Sequence, residues 1–230
     1  MRDLVRAATP ALLLGGAAGL VLLAVLVSTG LSDPVDGTLI DVVRSAALAN
    51  LLSPLRWITE LGSTWAVAAV AVCALVLGLL IGPRRLGMLA AITILLASIG
   101  NSLLKITVAR QRPDMLEPLI EERGFSFPSG HAALGMVAWG ILAVLISRSR
   151  LPLPAQHWVT AIIGLVVFLI GASRVWLGVH FPTDVLAGWI AGGMVVLAFA
   201  ALTRSVRMAP DEVVAAEDQA APRSGRPAPG

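Results

Sequence analysis

Six long apolar stretches, at roughly 10–31, 64–82, 86–104, 131–147, 158–173 and 185–203, leave little of this 230-residue chain for anything else. Each approaches the ~20 residues that an α-helix needs to cross the hydrocarbon core of a bilayer. Only 13% of the residues are charged and 57% are hydrophobic, whereas a soluble domain carries roughly 25% charged residues. With a mean hydropathy of +0.86, the chain reads as an all-α, polytopic membrane bundle of six transmembrane helices. Arg2 and Arg6 precede the first stretch as they would a signal peptide. That stretch exceeds the usual ~7–15 residue apolar core and shows no clear small-residue cleavage site, so it is read as a span.

The arginines set the expected orientation. Arg84 and Arg85, Arg148 and Arg150, and Arg204 and Arg207 follow the second, fourth and sixth stretches, on the same side as Arg2 and Arg6. The positive-inside bias assigns that side, and both termini, to the cytoplasm. Segments 32–63 and 105–130 then face the opposite side. Residues 1–205 are expected to form one six-span membrane domain. Residues 206–230, with prolines at 210, 222, 227 and 229 and no apolar periodicity, read as a disordered cytoplasmic tail.

Other classes fall away. The single cysteine, Cys73, has no intrachain partner and reads as packing. The pI near 10.4 comes from scattered arginines rather than a dense stripe, so no nucleic-acid partner is implied. Gly15 to Gly19 and Gly188 to Gly192 are small-xxx-small patterns that let helices approach, and a homo-oligomer is allowed without being required.

Charge near a span is costly and marks functional candidates. Three clusters stand out. Lys105, the only lysine beside 16 arginines (17 − 1), lies seven residues before Arg112. That spacing predicts two side chains on one face of a helix extended past the third stretch and ended by Pro113. Arg110 then points elsewhere, as a solvated or headgroup-facing charge. Pro128-Ser129-Gly130-His131 opens the fourth stretch, where Ser129 suits an N-cap and Gly130 lets backbone amides approach an anion. Ser173-Arg174 precedes His180 and Asp184, whose spacing of four lets the carboxylate orient the imidazole and leave Nε2 with a free lone pair.

Taken singly, these are a snorkelling lysine, a helix cap and an interfacial histidine beside a capping aspartate. All three fall on the same, non-cytoplasmic side. Lys105, Arg112 and Arg174, with the Ser129 hydroxyl and nearby amides, form a cage for a tetrahedral anion. Phosphoryl transfer is served mainly by such positioning and charge stabilisation. His180 is the candidate nucleophile and His131 the candidate acid. A metal is disfavoured among three permanent cations with one well-placed carboxylate, and no cofactor is expected.

The motifs Lys105-x6-Arg112-Pro113, Pro128-Ser129-Gly130-His131 and Ser173-Arg174-x5-His180-x3-Asp184 resemble, in order, the three signature motifs of the type 2 phosphatidic acid phosphatase family. That family includes membrane lipid phosphate phosphatases and, more distantly, soluble vanadium haloperoxidases. The resemblance covers 105–184 closely and implies a metal-independent, vanadate-sensitive hydrolase with a phosphohistidine on His180. It also implies that Asp184 orients that ring and that His131 is acid to the leaving group, then base to water. Lys105, Arg112, Ser129, Gly130 and Arg174 would hold the phosphate. Six spans argue against the soluble branch. The implied partners are the bilayer and a lipid phosphate of the phosphatidic acid, phosphatidylglycerol phosphate or polyprenyl diphosphate class, acted on at the extracytoplasmic face of the cell membrane.

Two alternatives stay open: a transferase that passes phosphate to an acceptor hydroxyl, and a non-catalytic lipid or anion carrier. Glu117, Glu121, Glu122 and Arg123 read as a solvated loop, with a gate to the site as the alternative, and His157 as structural.

Overall fold

A computed structural model describes residues 2–45, 52–81, 84–113 and 122–204, all of its regular structure being helical. The elements are α1 (Arg2–Ser28), α2 (Asp33–Ser45), α3 (Leu52–Glu60), α4 (Thr64–Ile81), α5 (Arg84–Val108), α6 (Gly130–Ile146), α7 (Leu153–Trp176) and α8 (Pro182–Leu202). The six apolar stretches fall on α1, α4, α5, α6, α7 and α8. The expected tail lies outside the described residues.

Among the described residues, four helices are long and apolar enough to cross a membrane: Ala8–Ser28, Arg84–Val108, Leu153–Trp176 and Pro182–Leu202. A fifth is reached if Pro54–Glu60 and Thr64–Leu80, bent by 51°, act as one span. The remaining apolar helix, Gly130–Ile146, has 17 residues. It is apolar all round, as a helix enclosed by others should be, and it buries Ala132, Ala133, Gly135, Val137, Ala138, Ile141 and Leu145. Helices α4, α5, α7 and α8 pack around it. On the outside, Leu14 and Val21 of α1 and Leu95, Leu96, Leu103 and Ile106 of α5 are exposed, a surface that water would not tolerate and lipid does.

The pairing of α6 with α8 is the most extensive. A Cβ on Gly188 would lie 2.8 Å from the Ser129 carbonyl oxygen, and one on Gly192 2.6 Å from that of Ala133. Only glycine lets the two backbones come this near, so the pattern at 188–192 is a packing seam. In the pattern at 15–19, by contrast, a Cβ on Gly15 would meet open space, and it is Gly16 that faces Met194 of α8. The Ser129 N–H donates to the Asp184 carbonyl at 3.0 Å, tying the first turn of α6 to that of α8.

Segment 32–63, expected to be a connection, instead carries the amphipathic α2 and α3. Their packing on α7, and that of α2 on α8, brings Asp36 and Thr59 into the protein, both buried. At the opposite end of α6 and α8, Arg148 donates to the carbonyls of Thr203 (3.0 Å) and Ala200 (3.1 Å) and to Thr203 Oγ1 (2.7 Å).

Candidate active site

The connection from α7 to α8 builds the centre of the site. Helix α7 ends at Trp176, and the chain reverses through Gly178 at φ +76°, a left-handed conformation that favours glycine. His180 follows, 1% exposed, and Pro182 starts α8 with a φ already suited to a first turn. One turn on, Asp184 Oδ2 lies 3.4 Å from His180 Nδ1 and accepts the Phe181 N–H at 2.9 Å. On the other side of the ring, Arg112 Nη1 stands 3.2 Å from Nε2. A guanidinium only donates. Nε2 is therefore assigned as the lone-pair nitrogen and Nδ1–H faces the carboxylate, the orientation expected of His180 and Asp184.

Arg112 does not reach this place along a helix. Helix α5 stops at Val108, and Ala109 takes φ +51°, a conformation costing a residue with a Cβ roughly 1 kcal/mol. The chain then runs antiparallel to 122–126, with Ser126 N–H donating to the Arg110 carbonyl at 2.8 Å. Arg112 Nε donates to the Gly124 carbonyl at 3.0 Å and Nη1 to that of Val179 at 2.8 Å. The helix expected to carry Lys105 and Arg112 on one face thus ends before Arg112. Lys105, still on α5, donates to the carbonyls of Phe125 (2.6 Å) and Ser126 (3.4 Å) and so braces the loop that leads to His131.

The expected surface role of Arg110 is also overturned. Its side chain is only 8% exposed and is ion-paired with Asp36 and Asp184, each at 2.8 Å, and with Asp33 at 3.3 Å. Burial opposes the charge, but Asp184 and Asp36 raise the Arg110 guanidinium above its ordinary value.

Glu122 is the largest departure from expectation. Rather than facing water, its Oε2 pairs with Arg174 Nη2, lies 2.7 Å from Arg112 Nη1 and stands 3.5 Å from His180 Nε2. Its Oε1 lies 3.6 Å from His131 Nδ1. Burial would raise this carboxyl, but the nearby His180 and the charges of Arg174 and Arg112 hold it well below the ordinary carboxylate range. One ionised carboxylate therefore sits between both histidines and two arginines.

Arg174, 1% exposed, is fixed by Thr59 Oγ1 at 2.8 Å while its Nε has no hydrogen-bond partner among the described residues. Ser129 is equally unpaired: the expected side-chain cap is not made, and its hydroxyl is buried without a partner. The first intrahelical bond of α6 is Ala133 N–H to the Ser129 carbonyl, so the amides of Gly130, His131 and Ala132 precede the helix's own ladder. His157, near the start of α7, is exposed at the far end of the bundle. Among the described residues no group of three or more His, Cys, Asp and Glu could hold a metal ion.

The polar residues that sequence reasoning missed, Asp36, Thr59, Arg110, Glu122 and Thr183, are single side chains whose partners lie far along the chain. The only signal was the acidic excess of segment 32–63.

A family model described as the PAP2 superfamily matches residues 86–207, just over half of the chain. Over 94 residues the chain is 43% identical to phosphatidylglycerophosphatase B of Bacillus subtilis, covering 40% of this chain and 45% of that protein. Over 117 residues it is 33% identical to the undecaprenyl-diphosphatase of Sulfolobus acidocaldarius, covering 49% and 52%. These matches thus span about half the length of the curated relatives. The crystal structure of a transmembrane PAP2-type phosphatidylglycerolphosphate phosphatase from Bacillus subtilis superposes with a TM-score of 0.77 at 26% identity, covering 85% of this chain and 97% of that one. Aquifex aeolicus LpxE superposes with a TM-score of 0.56 at 25% identity, over 70% and 92%.

Proposed function

The chain belongs to the PAP2 superfamily, and from that premise we propose that it is a multi-pass membrane phosphatase that hydrolyses lipid phosphate esters or diphosphates at the extracytoplasmic face. The observation that carries this reading is the Glu122 carboxylate, an oxyanion from the chain itself that Arg112 and Arg174 bind between the two histidines. What the cage does for a carboxylate it does better for a phosphate, which has more oxygens and more charge.

All six apolar helices cross the bilayer in this reading. At about 1.5 Å per residue, the 17 residues of α6 rise about 26 Å, close to the ~30 Å hydrocarbon thickness. The ends bearing Arg148 and Arg204 face the cytoplasm, and the starts of α6 and α8 lie across the membrane from them, at headgroup depth. A lipid keeps its tail in the bilayer and presents only its phosphate.

The substrate phosphate displaces Glu122 and is held by Arg112, Arg174, the Ser129 hydroxyl and the amides opening α6 at Gly130, with Lys105 bracing the loop. His180 Nε2 attacks phosphorus, forming an N–P bond while the bond from phosphorus to the leaving oxygen breaks. His131 gives its proton to that oxygen. In the second half, His131 removes a proton from water, the water oxygen bonds to phosphorus, the N–P bond breaks and inorganic phosphate leaves. Asp184 holds the Nδ1 proton throughout and stabilises the cationic phosphohistidine.

The test is a panel of phosphatidic acid, phosphatidylglycerol phosphate and polyprenyl diphosphate, assayed in detergent with chelator and the purified protein. Phosphate release that is blocked by vanadate, with acid-labile phosphate trapped on the chain, is expected. Undiminished turnover in His180→Ala, or a strict need for Mg²⁺, would overturn the mechanism. Label transferred to a second alcohol would make the protein a transferase, and binding with no trapped phosphate a carrier.

A further inference from the structure

The N-cap side chain of α8 supplies no acceptor for the amides of its own first turn. Its N-cap position is Phe181, whose ring cannot accept the orphan amides of a first turn. Asp36, from α2, serves instead. Its Oδ1 accepts the Thr183 N–H at 3.0 Å and its Oδ2 the Thr183 hydroxyl at 2.7 Å. Asp36 is fully buried, so this is an internal joint between an extramembrane helix and the helix that carries Asp184.

Arg110 completes the joint. Its Nη1 donates to Asp184 Oδ1 and to Thr183 Oγ1, both at 2.8 Å, and its Nη2 to Asp36 Oδ2 at 2.8 Å. Its guanidinium carbon lies 3.8 Å over the Phe181 ring. Asp184 therefore has divided duties. One oxygen belongs to Arg110, and the other faces His180 Nδ1 and the Phe181 amide. A buried carboxylate with one oxygen unpaired would turn or draw the imidazole proton toward itself. The fork removes both options.

We infer that Arg110, held by Asp36, is a positioning residue that fixes the Asp184 carboxylate so that His180 keeps its proton on Nδ1 and its lone pair on Nε2. This rests on the phosphohistidine reading above. Arg110 is separated from the anion cage by Asp184 and His180 and has no contact with the Glu122 carboxylate among those found, so it acts through the dyad rather than on substrate.

The test compares Arg110→Ala, Arg110→Lys, Asp36→Asn and the Arg110→Ala/Asp36→Asn double variant with the unaltered chain. Loss of an outer partner that orients a metal-binding histidine costs about 10- to 100-fold, and a loss of the same order is expected here. Arg110→Ala is expected to lower kcat by that factor while KM and the vanadate inhibition constant change less than about threefold, since the cage is intact. Arg110→Lys should recover part of the loss. The double variant should be little worse than Arg110→Ala, because both substitutions open one joint. Unchanged kcat in Arg110→Ala, or a raised KM at constant kcat, would overturn the inference.

A second measurement is independent of turnover. With ¹⁵N-labelled histidine, of which the chain has three, the His180 ring should report protonation at Nδ1 in the unaltered chain and a mixture of tautomers in Arg110→Ala. If no lipid phosphate is hydrolysed but this shift appears, the positioning stands and the substrate reading falls. If hydrolysis proceeds and the ring is unmoved by Arg110→Ala, the positioning falls alone.

Discussion

Both ends of the α6 and α8 pair gather arginines, and the two sets are satisfied in different ways. Arg148 gives its donors to the carbonyls and hydroxyl that close α8, where a cation also suits the negative end of the helix dipole. Its partners are two backbone carbonyls and a hydroxyl at the end of the same helix, and none of them can leave. Arg112 is anchored to the carbonyls of Gly124, Arg123 and Val179 and Arg174 to Thr59, and both also hold a carboxylate from a connecting loop. Ser129 and Arg174 keep buried donors that have no partner among the described residues. A cation whose partners are all fixed at one helix end stabilises the fold, and one that also holds an exchangeable carboxylate is available to a ligand.

The largest expected effect tests whether the two ends differ in chemistry at all. His180→Ala should reduce phosphate release on the order of 10⁴-fold or more while vesicle binding persists; residual turnover near the unaltered level would erase the distinction. Next comes the direct contrast of arginines. Arg174→Ala should cost about 10²- to 10³-fold in kcat/KM. Arg148→Ala should leave kcat in place and lower unfolding stability by about 1–3 kcal/mol, read as a fall in Tm. Equal losses of activity in both would contradict the division.

A smaller effect concerns the resident carboxylate. Glu122→Gln should bind vanadate about tenfold more tightly, because the competing anion is gone, as an inhibition constant would show; weaker binding would make Glu122 part of the substrate site. The sign with pH follows from its depressed pKa. The stability it contributes is fully present above the ordinary carboxylate value of about 4.3 and is lost as pH falls below that toward the folded value. A Tm that drops between about pH 5 and pH 2 in the unaltered chain, and drops less in Glu122→Gln, is the expected record. Smallest of all, Ala109→Gly should stabilise by no more than about 1 kcal/mol, since relief at φ +51° is offset by the entropy of glycine. A clear loss of stability would mean that the methyl packs usefully.

The bundle was legible because lipid imposes one rule, an apolar run of sufficient length, and that rule is local. The motif residues were legible because they cluster: His180 faces Asp184 across their four-residue spacing, and His131 and His180 both approach the Glu122 carboxylate. The periodicity argument for Arg112 failed at Ala109, since helical spacing holds only while a helix continues and nothing in Val108-Ala109-Arg110 announces a left-handed residue. Arg110 was misread because its partner Asp184 is 74 positions away, beyond any window of pattern. Asp36 and Thr59 were hidden in short amphipathic helices that look like a polar connection until their buried faces are known. Glu122 looked like one more charge in an acidic loop, and only its neighbours distinguish it.

The borrowed cap on α8 has a consequence for recombining this molecule with its kin. Because Phe181 offers no acceptor and Asp36 supplies one from a separate helix, the arm at 33–45 and the hairpin at 177–184 form an inseparable pair. A chimera that exchanges either without the other leaves frayed amides beside the histidine, so the natural crossover points lie inside the bilayer, away from this joint.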